Sequence, residues 1–145
     1  MKKLLILLLA LSLTSSCVSS LNNNQKRRLS AAKMEFPDLY QEEKNIGISA
    51  ILGILPGGGS FYTQNYGVGV VSLLLWPVSI AWDPINGING AQELNYYSTL
   101  QNIKRRKSKE IQDLKLKYSK EHISNKEFNI QKMEIESKYN LDSLL

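Results

Sequence analysis

The sequence predicts an all-α protein: a tether, a Gly-rich apolar helical hairpin, then a C-terminal helical hairpin. Three observations predict it. Two apolar segments, NIGISAILGILPGGGSFY and GVGVVSLLLWPVSIAW, lie mid-chain and are broken by glycine and proline. Residues 92–145 hold no glycine and no proline and carry apolar positions at steps of three and four, a helical period. Ser124 followed by Glu127 forms a capping box, which marks a helix start. Composition divides the chain into residues 1–16, 17–45, 46–91 and 92–145.

Residues 1–16 open with Lys2 and Lys3, continue through an apolar run from Leu4 to Leu13, and end in Thr14, Ser15 and Ser16. Cys17 follows and is the only cysteine. This arrangement resembles a bacterial lipoprotein signal peptide with its lipobox. The resemblance implies cleavage before Cys17 and acylation of its thiol, a modification that palmitate labels. Thr14 stands where the family usually has a branched aliphatic residue. An ordinary secretory signal and an uncleaved membrane anchor are the other readings of the same residues. Val18 follows the cysteine. In bacteria that sort on this position, the resemblance implies the outer membrane; otherwise the chain is expected on the exported side of the cell membrane.

Residues 17–45 read as a tether, polar at SSLNNNQ and basic at QKRRLSAAK. Pro37 ends any helix there, because the residue before proline avoids the helical region. The basic residues Lys26, Arg27, Arg28 and Lys33 are a solvated run or contact lipid headgroups.

Residues 46–91 are the apolar centre. A spanning helix needs about 20 residues and at least about 17, so both segments are marginal. Pro56 and Pro77 interrupt them. Gly57, Gly58, Gly59, Phe61, Tyr62, Gly67 and Gly69 form the turn region, and Asp83 follows Trp82. These residues resemble the core of the two-transmembrane (TM-two) domain, a helical hairpin in membranes with no catalytic residues to carry over. The chain departs from the family at Gln64, where glycine is usual, and at Pro77 and Pro84. Asn86-Gly87 and Asn89-Gly90 are turn dipeptides and predict a reversal out of the hairpin.

Residues 92–145 read as helical. Tyr97, Leu100, Lys104, Lys107, Ile111, Leu114 and Tyr118 form a heptad-like stripe with lysines in its middle. A helix is expected to end near Lys120 and a second to start at Ser124. Leu114, Tyr118, Ile123, Ser124, Glu127, Phe128, Lys132 and Ile135 resemble the pattern of the short C-terminal (SHOCT) domain. The resemblance implies a two-helix hairpin that promotes oligomerisation through Leu114, Tyr118, Ile123, Phe128 and Ile135. His122 replaces the turn glycine of that family and is expected in a left-handed conformation. Tyr40, Tyr96 and Tyr97 are expected as interface-anchoring aromatics.

No constellation for catalysis emerges. One histidine and one cysteine exclude a His-rich metal site, an internal disulfide and a cysteine cluster. Glu42 and Glu43 are adjacent and point apart on a helix or strand. No cofactor is expected. The formal charge is +5. An exported chain meets little nucleic acid, so membrane lipid is the expected partner, together with a second copy or an envelope protein.

The expected function is a non-enzymatic membrane-anchored lipoprotein, a structural or accessory subunit of a cell-envelope assembly. An integral inner-membrane two-helix protein that modulates a partner, or a small oligomeric pore, is the alternative. Lipidation at Cys17 puts both basic flanks of a spanning hairpin on the exported side, against the positive-inside tendency. A hairpin lying shallowly in the leaflet removes that conflict.

Overall fold

The computed structural model describes residues 20–141. The signal peptide, 1–16, and Cys17 lie outside the described residues. The described residues form helices joined by turns and short irregular segments, with no strand. The elements are α1 (Asn23–Glu35), α2 (Ile46–Leu52), α3 (Gly58–Tyr62), α4 (Tyr66–Leu74), a 3₁₀ turn (Val78–Ala81), α5 (Asp83–Ser119) and α6 (Asn125–Lys138).

Several ends follow from local chemistry. Helix α1 stops at Glu35, two residues before Pro37. Asn45 caps α2, its side chain accepting from Ile48 N–H at 3.0 Å. Gly57 precedes α3 at a φ of 77°, a conformation that costs glycine little. Asn65 caps α4, and α4 stops at Leu74, before Pro77. Ser124 caps α6 in a complete capping box with Glu127.

Three expectations are corrected. The segment read as a tether contains α1. Its Lys, Arg, Leu and Ala residues are good helix formers, and Ala32 within it and Phe36 just after it are buried. The reversal expected at Asn86–Gly90 is absent. Residues 83–119 form one continuous helix, with Asp83 and Pro84 in its first turn, where the missing proline N–H has no partner to lose. The left-handed residue of the last turn is Glu121, φ 57°, one position before His122.

Contacts divide the described chain into two compact units. Glu42–Asn95 makes most of the first; Asn23–Gln41 with residues 96–141 makes the second. Helix α5 gives residues 83–95 to the first and 96–119 to the second.

The second unit has an apolar core. Ala32, Phe36, Leu39, Ile103, Tyr139 and Leu141 cluster there, with Leu100 and Ile135 packed against them. The Phe36 and Tyr139 rings stack at 5.3 Å. Polar contacts fix the segment after α1: Gln41 N–H donates to Thr99 Oγ1 at 3.0 Å, and Asn102 Nδ2 donates to the Leu39 carbonyl at 3.3 Å. Arg106 pairs with Asp38 at 3.4 Å. Across the last turn, Tyr118 and Phe128 meet with ring centroids 4.9 Å apart.

Candidate functional site

The first unit is built the other way round. Ser49, Ser60, Ser72, Ser79 and Asp83 are fully buried, and Thr63 and Asn95 nearly so. Its buried hydrophobic residues, among those described, are Leu21 and Ala91. The large apolar side chains point outward: Ile51 is 67% exposed, Leu74 75%, Trp76 58% and Val78 65%. Ile48, Ile54, Leu55, Val70, Leu73, Leu75, Ile80 and Ile85 are exposed as well. Isoleucine, leucine and valine are among the residue types most often buried, and serine and aspartate are mostly exposed.

Asp83 organises the polar interior. It starts α5, where a carboxyl group complements the partial positive charge of the helix end. Its Oδ2 accepts from Gly59 N–H at 3.1 Å. Its Oδ1 accepts from the Ser60 hydroxyl and, at 3.2 Å, from the Ser72 hydroxyl. Ser72 Oγ in turn accepts from Trp82 Nε1 at 3.2 Å. One side chain therefore ties α3 and α4 to the start of α5. Ser49 and Ser79 keep buried hydroxyls with no hydrogen-bond partner among the described residues.

Close backbone approach completes this interior. A Cβ added to Gly53 would meet Pro84 Cα at 2.4 Å, and one added to Gly87 would meet the Ser49 carbonyl oxygen at 2.7 Å. The glycines read as turn formers at 87 and 90 are contact points: a Cβ on Gly90 would stand 2.7 Å from Thr63 Oγ1. Asn95 closes the unit, accepting from Lys44 N–H and donating to the Lys44 carbonyl, both at 2.9 Å. Lys44 Nζ lies 4.7 Å from the centre of the Tyr62 ring, and Tyr62 Oη accepts from Asn45 N–H at 3.2 Å.

The residues expected at the hairpin turn are spread over three elements. Gly57 occupies the turn itself. Gly58, Gly59, Phe61 and Tyr62 are in α3, and Gly67 and Gly69 are in α4. Phe61 lies over Gly69, whose added Cβ would stand 2.8 Å from the ring. Gln64, at the position where the TM-two family usually has glycine, takes a φ of 65°. The sequence reading missed Asp83 as a hub and the buried serines altogether. The spacing of small residues through the apolar segments was the available signal.

Of the residues expected to promote oligomerisation, Leu114 is buried and Ile135 packs on the second unit's core. Ile123 and Phe128 are half-buried, and Tyr118 is exposed. Tyr96, expected as an interface-anchoring aromatic, is buried; Tyr97 beside it is exposed. His122 is exposed in the last turn. Among the described residues no three His, Cys, Asp or Glu side chains come together to hold a metal ion.

A charged cluster joins α5 to the end of α6. Tyr139 Oη donates to Glu110 Oε1 at 2.6 Å, and Lys138 Nζ donates to the same carboxyl group at 3.2 Å. Burial pushes the Glu110 carboxyl up, but the Tyr139 hydroxyl, the Lys138 ammonium and the Arg106 charge together hold it below its ordinary value. The hydrogen bonds with Tyr139 and Glu110 hold Lys138 above its ordinary value. Burial and the Glu110 contact raise Tyr139.

No helix among the described residues is long and apolar enough to cross a membrane. Compared with protein-family models, curated proteins and solved structures, the chain matches none.

Proposed function

We propose that this chain is a membrane-anchored lipoprotein that serves as a non-enzymatic structural or accessory subunit of a cell-envelope assembly. An acylated Cys17 and the Glu42–Asn95 unit hold it at the bilayer. The inversion of that unit carries the reading. Buried serines, glycines and Asp83 inside, with leucine, isoleucine, valine and tryptophan outside, is the arrangement that packing in lipid favours. Lipid tails are as apolar as leucine, so helices there associate through small residues and hydrogen bonds.

Helix length favours a shallow seat. At 1.5 Å per residue, the nine residues of α4 extend about 14 Å, about half of the ~30 Å hydrocarbon core. A unit of such helices occupies one leaflet. This agrees with a lipid anchor on the same side and removes the conflict over basic flanks. The left-handed Gln64 supports the likeness to the TM-two hairpin, because that family usually carries glycine there. The last hairpin, with its Ser124 capping box, is in our reading the partner-binding module.

Palmitate labelling and carbonate extraction of the wild type and Cys17→Ser test the proposal. We expect labelling to vanish in the variant while the protein stays in the carbonate-resistant membrane fraction. An unlabelled wild type overturns the lipoprotein assignment. A Cys17→Ser chain with residues 1–16 removed that is fully released by carbonate overturns the membrane seat of the Glu42–Asn95 unit.

A further inference from the structure

The basic KRRK stretch in the middle of α5 is not used by the membrane seat. In the second unit a cleft of about 350 Å³ opens beside it, within the range of about 300–1,000 Å³ usual for small-molecule sites. Lys104 and Lys107 stand three residues apart on one face of α5, and Arg28 joins them from α1. Asn140 is also part of the lining. No acidic side chain is among the described residues that line the cleft.

Leu100, Ile103 and Leu141 line the cleft beside the cations, and the same three residues continue with Arg28, Leu29 and Ala32 into a tighter recess. Tyr139 forms a firm part of the wall, stacked on Phe36 and hydrogen-bonded to Glu110. The site therefore sets three cations beside an apolar floor, with the cations on two helices fixed by one core.

We propose that this cleft binds a phosphate ester carrying an apolar substituent, with the phosphate held by Lys104, Lys107 and Arg28 and the substituent on the Leu100–Ile103 floor. Three like charges around one concavity repel each other, and a low-dielectric wall strengthens the field between them. A phosphate offers several anionic oxygens to match several cations, and charge-assisted hydrogen bonds are the strong ones. Arginine suits it further through its planar fork of donors. A neutral amphiphile offers Lys104 and Lys107 no anion, and inorganic phosphate leaves the floor unused. The inference stands on the second unit alone and does not depend on the membrane seat of the first.

Calorimetric titration of the full chain in neutral detergent tests it, with hexyl phosphate, inorganic phosphate and hexanol as probes. We expect saturable binding of hexyl phosphate, at least about tenfold tighter than either other probe, a difference of about 1.4 kcal/mol. Lys104→Glu with Lys107→Glu is expected to weaken it by about tenfold or more. The pair Lys109→Glu with Lys115→Glu makes the same charge change at exposed positions outside the cleft and is expected to leave affinity within about twofold. Helical circular dichroism checks that both variants fold. Equal weakening by the two pairs, equal binding of inorganic phosphate, or no saturable binding overturns the proposal. Vesicles containing phosphatidic acid identify the source of the ligand. Displacement of hexyl phosphate by them supports the site with a bilayer lipid as its ligand, and its persistence supports the site with a soluble ester.

Discussion

Gly87 packs so closely against the Ser49 carbonyl that an added Cβ would stand 2.7 Å from that oxygen. Intrinsic helix propensity favours Gly87→Ala by about 1 kcal/mol. The steric argument favours the opposite sign, because the obstacle is backbone and cannot swing aside; overpacking costs about 1–3 kcal/mol. We expect Gly87→Ala to lower the thermal midpoint of the full chain in detergent. A raised midpoint would mean that α2 and α5 do not touch here.

Asp83 gathers donors from Gly59, Ser60 and Ser72. Asp83→Ala leaves those donors buried with no acceptor, at about 1–3 kcal/mol for each one left unmatched. The variant is expected to lose more stability than Ser72→Ala, which removes one donor and keeps the acceptor. Trp82 is the reporter: its indole N–H donates to Ser72, so its fluorescence should shift in both variants. An unshifted emission in Asp83→Ala would show that the cluster does not hold α4 to α5.

Gln64 and Glu121 both sit at positive φ, 65° and 57°. A left-handed conformation costs a residue with a Cβ roughly 1–2 kcal/mol, and a new glycine returns part of that gain as unfolded-chain entropy, about 0.4–1 kcal/mol. Gln64→Gly and Glu121→Gly are therefore expected to be neutral to stabilising by up to about 1 kcal/mol. His122→Gly should destabilise, because His122 is not left-handed and gains only flexibility. Chemical denaturation of the three variants decides between the two turn positions. A stabilising His122→Gly would move the turn back to the residue that the family pattern indicates.

The all-helical class and the capping box at Ser124 were legible in the sequence because their signals are local. A capping box and a helical period do not depend on distant residues: Ser124 caps a helix, and the stripe through Leu114 lies in one, where expected. The run through Asn86–Gly90 was misread for a physical reason. Turn statistics describe glycine on an exposed chain, whereas Gly87 and Gly90 are selected by the approach of Ser49 and Thr63. Helix α1 was missed because Ala32 within it and Phe36 after it cluster with Ile103 and Tyr139 far along the chain. The inverted interior follows from the same serines and glycines that look like breaks in an apolar segment, and only their convergence on Asp83 distinguishes the two.

The Glu110 cluster gives the second unit a defined response to pH. The folded-state pKa of Glu110 lies below its ordinary value of 4.5. Its contribution is therefore complete above that value and is lost as the pH falls through the folded-state pKa. Lys138, raised above 10.5, and Tyr139, raised above 10.0, contribute in the opposite window. Their contribution is complete below those values and is lost as the pH rises past them. Tyr139→Phe keeps the ring stack on Phe36 and removes the hydroxyl that Glu110 accepts. It should raise the pH at which Glu110 protonates in the folded state and so shrink the acid loss of stability. Glu110→Gln should flatten that acid limb, since the titrating group is gone. Thermal unfolding followed by far-ultraviolet circular dichroism between about pH 3 and pH 8 reads both effects. Identical acid limbs in the wild type and Glu110→Gln would mean that another carboxyl group governs acid stability.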